Sequence, residues 1–244
     1  IFVSGTADRT VALGTRDLSI AQTLDVGGNL ALDAVNDRLF IGTLTELAIY
    51  NTRSGNRLTE VKLELPRDAA TARLPQLPIL LLADEKGNVY AVQQGLHRVN
   101  AVGLYATVML DQPRDIRALA LDEPRHALYA SINNGVPGLN NRNDVWRIEP
   151  GTGQLAPVVS GVRDLVVDQL HGRLIVATLR YGLPGALQSW SGQPLTLTQS
   201  LANLSGSLAL DVERDRLYVL TNDRLMAVQA STISPLADIE LGGN

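Results

Sequence analysis

No cysteine occurs anywhere in the 244 residues, so the chain can form neither a disulfide nor a Cys-ligated metal centre. Aromatic residues are scarce as well, at 4%. A core built without them has to come from Leu, Val, Ile and Ala on flat, closely stacked elements. Charge is nearly balanced, with 21 Lys and Arg against 25 Asp and Glu. That excludes a general nucleic-acid binder, which needs a basic face, and leaves room only for a local basic patch. No apolar run approaches the roughly 20 residues that a membrane-spanning helix needs. His97, His126 and His171 are the only histidines, and their wide separation argues against a three-His metal site. No Ser-His-Asp set has readable spacing, and no Gly-rich phosphate loop occurs. No cofactor is expected.

What the chain has instead is repetition. In Ser207–Asn222 (SLALDVERDRLYVLTN) a short apolar run ends at Asp211, a polar turn follows, and a second apolar run begins at Leu217. Two such runs around a five-residue polar turn read as a β-hairpin. Consecutive apolar residues without strict alternation indicate strands buried on both faces. The unit recurs at Leu30–Thr43, Leu119–Ser131 and Leu165–Thr178, with a worn copy at Ala70–Ala83 and a half copy at Ile1–Gly5. Six residues before each second strand stand Asp33, Asp122, Asp168 and Asp211, with Arg73 in the worn copy. A period of roughly 40–50 residues with about four strands per unit is the signature of a β-propeller.

The recurrent aspartate reads as structural. At a strand end its carboxylate accepts backbone N–H bonds in the turn, and Arg38, Arg173 and Arg216 stand five residues further on to meet it across the hairpin. A catalytic group repeated in every unit would be unusual, because one active site needs one set of residues.

Taken in order, the units span about 1–26, 28–65, 67–110, 114–159, 162–199 and 205–241 of a single propeller domain, 1–244. In the first, Ile1–Gly5, Thr10–Gly14 and Ile20–Val26 read as second, third and fourth strands. The third unit carries the worn hairpin, then strands at Val89–Gln93 and Leu104–Leu110; all three histidines fall in expected turns. The chain opens in mid-unit without an initiating Met, and Glu240–Asn244 echoes Asp25–Asn29. An N-terminal piece is therefore expected upstream: six four-stranded blades, or seven if N-terminal residues are missing.

The LALD-x-x-x-x-RLY-V pattern of Leu208–Val219, the segment Asp25–Phe40 and the pentapeptide Tyr218–Asn222 resemble the YVTN family of β-propeller repeats, relatives of the NHL and SMP-30 types. The absence of a Trp-Asp dipeptide fits WD40 repeats poorly. Two tryptophans, Trp146 and Trp190, cannot supply quinoprotein blades, and the Gly pairs fall between blades, unlike kelch repeats. The resemblance implies a bacterial or archaeal propeller, often exported or at the cell surface, commonly used for binding. It implies no catalytic residues.

Two longer connections, Ile132–Asp144 and Leu179–Ala186, exceed the repeat norm and join second to third strands of adjacent units. Such loops on a rigid scaffold are the usual place for binding groups. The first offers Asn133, Asn134, Asn140, Asn143 and Asp144, and the second Arg180 and Tyr181. An Arg-Asp pair also marks three links between units, at Arg67–Asp68, Arg114–Asp115 and Arg163–Asp164, with Arg117 close by. Arg117 and Arg163 would stand near the channel mouth, where they can hold a carboxylate or fix blade interfaces.

The expected function is a non-enzymatic binding or scaffolding propeller that engages a protein partner, within an exported or surface protein. Two other readings stay open. One is an SMP-30-like metal-dependent hydrolase or lactonase; the other is a purely structural subunit of a larger assembly.

Overall fold

Each repeat unit folds as an antiparallel meander. The computed structural model describes residues 2–4, 9–13, 19–43, 46–62, 80–84, 88–92, 96–100, 105–110, 115–133, 143–149, 152, 154–178 and 185–241. The chain divides into two compact units, Ile1–Arg114 and Asp115–Asn244.

The first unit holds three sheets. Sheet 1 has three strands, β1 (Phe2–Ser4), β2 (Thr10–Leu13) and β3 (Ile20–Leu24). Sheet 2 runs β4 (Asn29–Asp33), β5 (Arg38–Gly42), β6 (Glu46–Asn51) and β7 (Arg57–Lys62). Sheet 3 runs β8 (Leu80–Ala83), β9 (Asn88–Val92), β10 (Leu96–Asn100) and β11 (Tyr105–Leu110).

The second unit also holds three sheets. Sheet 4 is β12 (Asp115–Asp122), β13 (Ala127–Asn133), β14 (Asn143–Ile148) and β15 (Leu155–Ser160). Sheet 5 is β16 (Val162–Asp168), β17 (Arg173–Thr178), β18 (Ala186–Ser191) and β19 (Thr196–Ala202). Sheet 6 is β20 (Ser207–Asp211), β21 (Arg216–Leu220), β22 (Arg224–Gln229) and β23 (Ser234–Glu240).

Within each unit the core lies between successive sheets, which is why the second strands are apolar at consecutive positions. In β17, Leu174 and Val176 pack with Tyr129 and Val145 of sheet 4, while Ile175 packs with Leu217 and Val219 of sheet 6. In β5, Leu39 and Ile41 pack toward sheet 1, and Phe40 toward Val89 and Ala91 of sheet 3. Each such Leu, Ile or Phe, almost wholly removed from water, stabilises the fold by about 1.5–3 kcal/mol. The outermost strands β19 and β23 are the least covered, with most positions exposed, Leu197, Leu236 and Ile239 among them.

The recurrent aspartate closes the turn between first and second strands. Asp33 accepts from the N–H of Asn36 at 3.0 Å and from its Nδ2 at 2.8 Å. Asp211 accepts from the N–H and Nη1 of Arg214 at 3.1 and 2.9 Å. Asp122 receives Nη1 of Arg125 at 3.1 Å, and Asp168 the N–H of His171 at 3.1 Å. Of the three arginines five residues on, Arg173 alone ion-pairs with its aspartate among the described residues.

Four residues after each of these aspartates the backbone turns left-handed: Asp37 (φ 53°), His126 (φ 49°), Gly172 (φ 64°) and Asp215 (φ 51°). Asp tolerates this region by local hydrogen bonding, and Gly has no Cβ to clash. His126 has neither advantage and is exposed. His126→Gly is expected to raise stability by about 0.5–1 kcal/mol, since relief of the left-handed strain outweighs the extra entropy of an unfolded glycine. A denaturation midpoint that stays put or falls contradicts this.

Sheet 3 corrects the sequence reading. Its first described strand is β8, packed beside β4, and Leu96–Asn100 is a strand where none was expected. His97 therefore lies in β10, not in a turn. The recurrent aspartate of this sheet is Asp84, buried at the end of β8, which accepts from the N–H and Nδ2 of Asn88 at 2.7 and 2.8 Å. The sequence reading takes the run from Ile79 to Ala83 for a second strand, whereas β8 is the first, and the turn after Asp84 is also one residue shorter than its counterparts. The first strand and turn assigned to Ala70–Ile79 lie outside the described residues.

Candidate functional site

The two long connections leave their sheets at one end. β13 and β14 continue beyond the expected strand ends, pairing Asn133 with Asn143 and Ile132 with Asp144. Part of the expected loop Ile132–Asp144 is thus ladder, and the connection itself is residues 134–142. In sheet 5 the corresponding ladder closes at Thr178, whose Oγ1 accepts the Ala186 N–H at 2.9 Å and donates to the Ala186 carbonyl at 3.0 Å. Because β12 and β16 pack side by side as first strands of their sheets, both connections emerge on the same side of the second unit.

Of the expected site residues, Asn133, Asn143 and Asp144 stand together at this end of sheet 4, all half-buried. Asn134, Asn140, Arg180 and Tyr181 lie outside the described residues. Arg117 and Arg163 are both exposed. Arg117 sits where β12 slips register, between the pairs Ile116–Ile132 and Ala118–Ser131. Arg163 sits at the matching slip of β16, between Val162–Thr178 and Asp164–Ala177.

Each arginine is the extra residue of a β-bulge, and each stands five residues before the recurrent aspartate of its sheet, Asp122 or Asp168. This regroups the sequence motif: Arg163 is the counterpart of Arg117, and not of Arg114. Arg67, Asp68 and Arg114 lie outside the described residues. In sheets 2 and 6 the same position is Gly28 or Gly206. A Cβ there, just before the first strand, would lie 2.2 Å from the carbonyl oxygen of Gly42 or Leu220 respectively, so a side chain would meet backbone of the second strand. The bulge moves the extra residue out of the ladder and re-aims its side chain. Two neighbouring first strands thereby present a guanidinium each at one register.

Asp164 has the structural role foreseen for these pairs. Its carboxylate accepts from the N–H of Leu165 at 2.8 Å and from the N–H of Leu208 in β20 at 2.9 Å, tying sheet 5 to sheet 6. Burial pushes its carboxyl above the ordinary aspartate value, and the two backbone donors oppose that only in part.

No family model matches this sequence, and no curated protein matches it. Among solved structures, the chain is similar to the β-propeller domain of Cps50 (Swd1) from Myceliophteria thermophila. Identity is 12% and the TM-score 0.69, over 100% of this chain and 84% of that one. It is also similar to a chain of the nidogen/laminin complex, at 11% identity and TM-score 0.62, over 98% and 92% of the two chains. A third similarity, at 12% identity and TM-score 0.67, is to the dihydro-haem d1 dehydrogenase NirN in complex with DHE. It covers 99% of this chain but 53% of NirN. At such identities the likeness speaks for the fold alone: the chain has a β-propeller fold, built from four-stranded antiparallel meanders.

Proposed function

We propose that this chain is a six-bladed propeller of the YVTN type that works as a non-enzymatic protein-interaction module of an exported or surface protein. It engages its partner through the side that carries residues 134–142, residues 179–184, Arg117 and Arg163. The observation that carries this reading is the pair of bulged arginines. The position that is a closely packed glycine in sheets 2 and 6 holds an exposed guanidinium group in two neighbouring sheets, beside the two longest connections within a sheet. Two guanidinium groups at one register suit an acidic segment of a partner, since arginine binds carboxylates in a bidentate fashion. The similarity to a chain from a nidogen/laminin complex supports a protein-binding use of the fold.

The test begins with the partner recovered at fixed stoichiometry with the native protein. Arg117→Ala/Arg163→Ala is expected to weaken that complex about tenfold or more, while stability stays within about 0.5 kcal/mol of the parent. Deleting residues 134–142 and 179–184 should abolish binding with the far-UV circular dichroism unchanged. Full binding by both variants overturns the proposal.

A further inference from the structure

At the opposite end of sheets 4 and 5, between the Asp122 turn and the β18–β19 turn, lies a cleft of about 280 Å³. Its origin is visible by comparison with the next sheet boundary. Between sheets 5 and 6 the equivalent slot is filled by Arg173, which lies across the hairpin from Asp168 and donates through Nη1 to the Ala230 carbonyl at 2.9 Å. In sheet 4 the residue across from Asp122 is Ala127, which cannot reach the neighbouring sheet. The turn of sheet 5 also contributes Gly172 where sheet 6 has Asp215.

Into the space over Gly172 comes the Arg125 guanidinium, whose Nη2 lies 1.6 Å from where a Cβ on that glycine would be. Its other terminal nitrogen is engaged by the buried Asp122, which leaves the pair close to neutral. Arg147 lines the cleft too, and its nearest acid is Glu149 at 3.5 Å, both about 40% exposed. An exposed pair of this kind is worth little and exchanges easily. The floor is apolar: Leu174, Val158, Leu195 and the buried ring of Tyr129. Burial, and then the charge of Asp122, push the Tyr129 phenol up, so it stays a neutral hydrogen-bond donor at physiological pH.

We propose that this cleft is a binding site for a small organic carboxylate, its head group between Arg125 and Arg147 and its apolar body over Leu174 and Leu195. Concave sites with an apolar lining and a few convergent polar groups are the usual form of a small-molecule site. The cleft lies away from the proposed partner-binding side and does not depend on that reading.

The test is a methyl NMR titration of the whole chain with hexanoate and benzoate, and with hexanamide and benzamide as neutral counterparts. The acids are expected to shift the methyl signals of Leu174 and Leu195 saturably, and the amides to bind at least about tenfold more weakly. Arg147→Gln, a change at a half-exposed side chain, is expected to weaken the acids about tenfold without altering the remaining spectrum. No shift at Leu174, equal binding of acids and amides, or an unchanged affinity in Arg147→Gln would each overturn the assignment.

Discussion

Arg173→Ala is expected to lower the unfolding free energy by about 3–5 kcal/mol at neutral pH, the cost of leaving a buried charge without its partner. Asp168 is 1% exposed and Arg173 9%. The guanidinium bonds Asp168 through Nη2 and through Nε, the latter at 3.1 Å, reaches the Ala230 carbonyl at 2.9 Å and lies 3.8 Å from Asp215. Truncation removes all of these at once and opens the seam between sheets 5 and 6. The exposed pair of Asp211 with Arg214, within the corresponding turn of the next sheet, is the control. Arg214→Ala should leave the unfolding free energy nearly unchanged.

The loss in Arg173→Ala should also depend on pH. Burial pushes the Asp168 carboxyl up, but bonds from Arg173 and from the His171 N–H and ring outweigh it and hold the group below the ordinary aspartate value. A depressed carboxylate contributes stability that is present above its unfolded pKa and disappears as pH falls through its folded one. Without Arg173 the balance tips toward burial, and a neutral Asp168 becomes the cheaper form to enclose. The gap between the two proteins should therefore narrow as pH falls below the ordinary aspartate range. Denaturant titrations from neutral to acid pH read this directly, and a gap that is constant or widens contradicts the buried-pair account.

Arg173 also shows what kind of information was legible in the residues. Arg38, Arg173 and Arg216 occupy one sequence position, and nothing local separates them, yet one alone makes the ion pair with its aspartate. All three aspartates are served by the residue three further on, Asn36, His171 or Arg214, and what sets Arg173 apart is that the slot beside Asp168 leads it on to the Ala230 carbonyl of the neighbouring sheet. Strand pairing in sheets 2, 4, 5 and 6 was readable because an apolar run, an aspartate and a fixed turn length recur together. In sheet 3 the apolar run that ends at Ala83 is the first strand and not the second, so counting six residues back from Ile79 lands on Arg73 and misses Asp84 at the end of the run. The bulges were hidden for another reason. A bulge inserts a residue without changing the apolar pattern on either side, so Arg117 and Arg163 reveal their equivalence only when counted back from the aspartates.

Gly206→Ala is expected to cost about 2–3 kcal/mol, although it adds a single methyl group. The new Cβ would sit 2.2 Å from the Leu220 carbonyl oxygen, 2.7 Å from its carbon and 3.1 Å from a Val219 methyl. Two of the three obstacles are backbone of the adjacent strand and cannot turn aside as a flexible side chain would. Gly206 is not in the left-handed region, so the requirement is for space and not for conformational freedom. Arg163 occupies the same register on a bulge, and Arg163→Ala should therefore stay within about 0.5 kcal/mol of the parent. Urea titrations of both variants decide the point: the midpoint should fall for Gly206→Ala at unchanged slope and hold for Arg163→Ala. Equal behaviour would mean that the two positions are not distinguished by the bulge. A large gap would mean that the ladder of this repeat bars side chains at that position unless a residue is inserted, so that both guanidinium groups on the proposed binding side depend on an extra residue in β12 and β16.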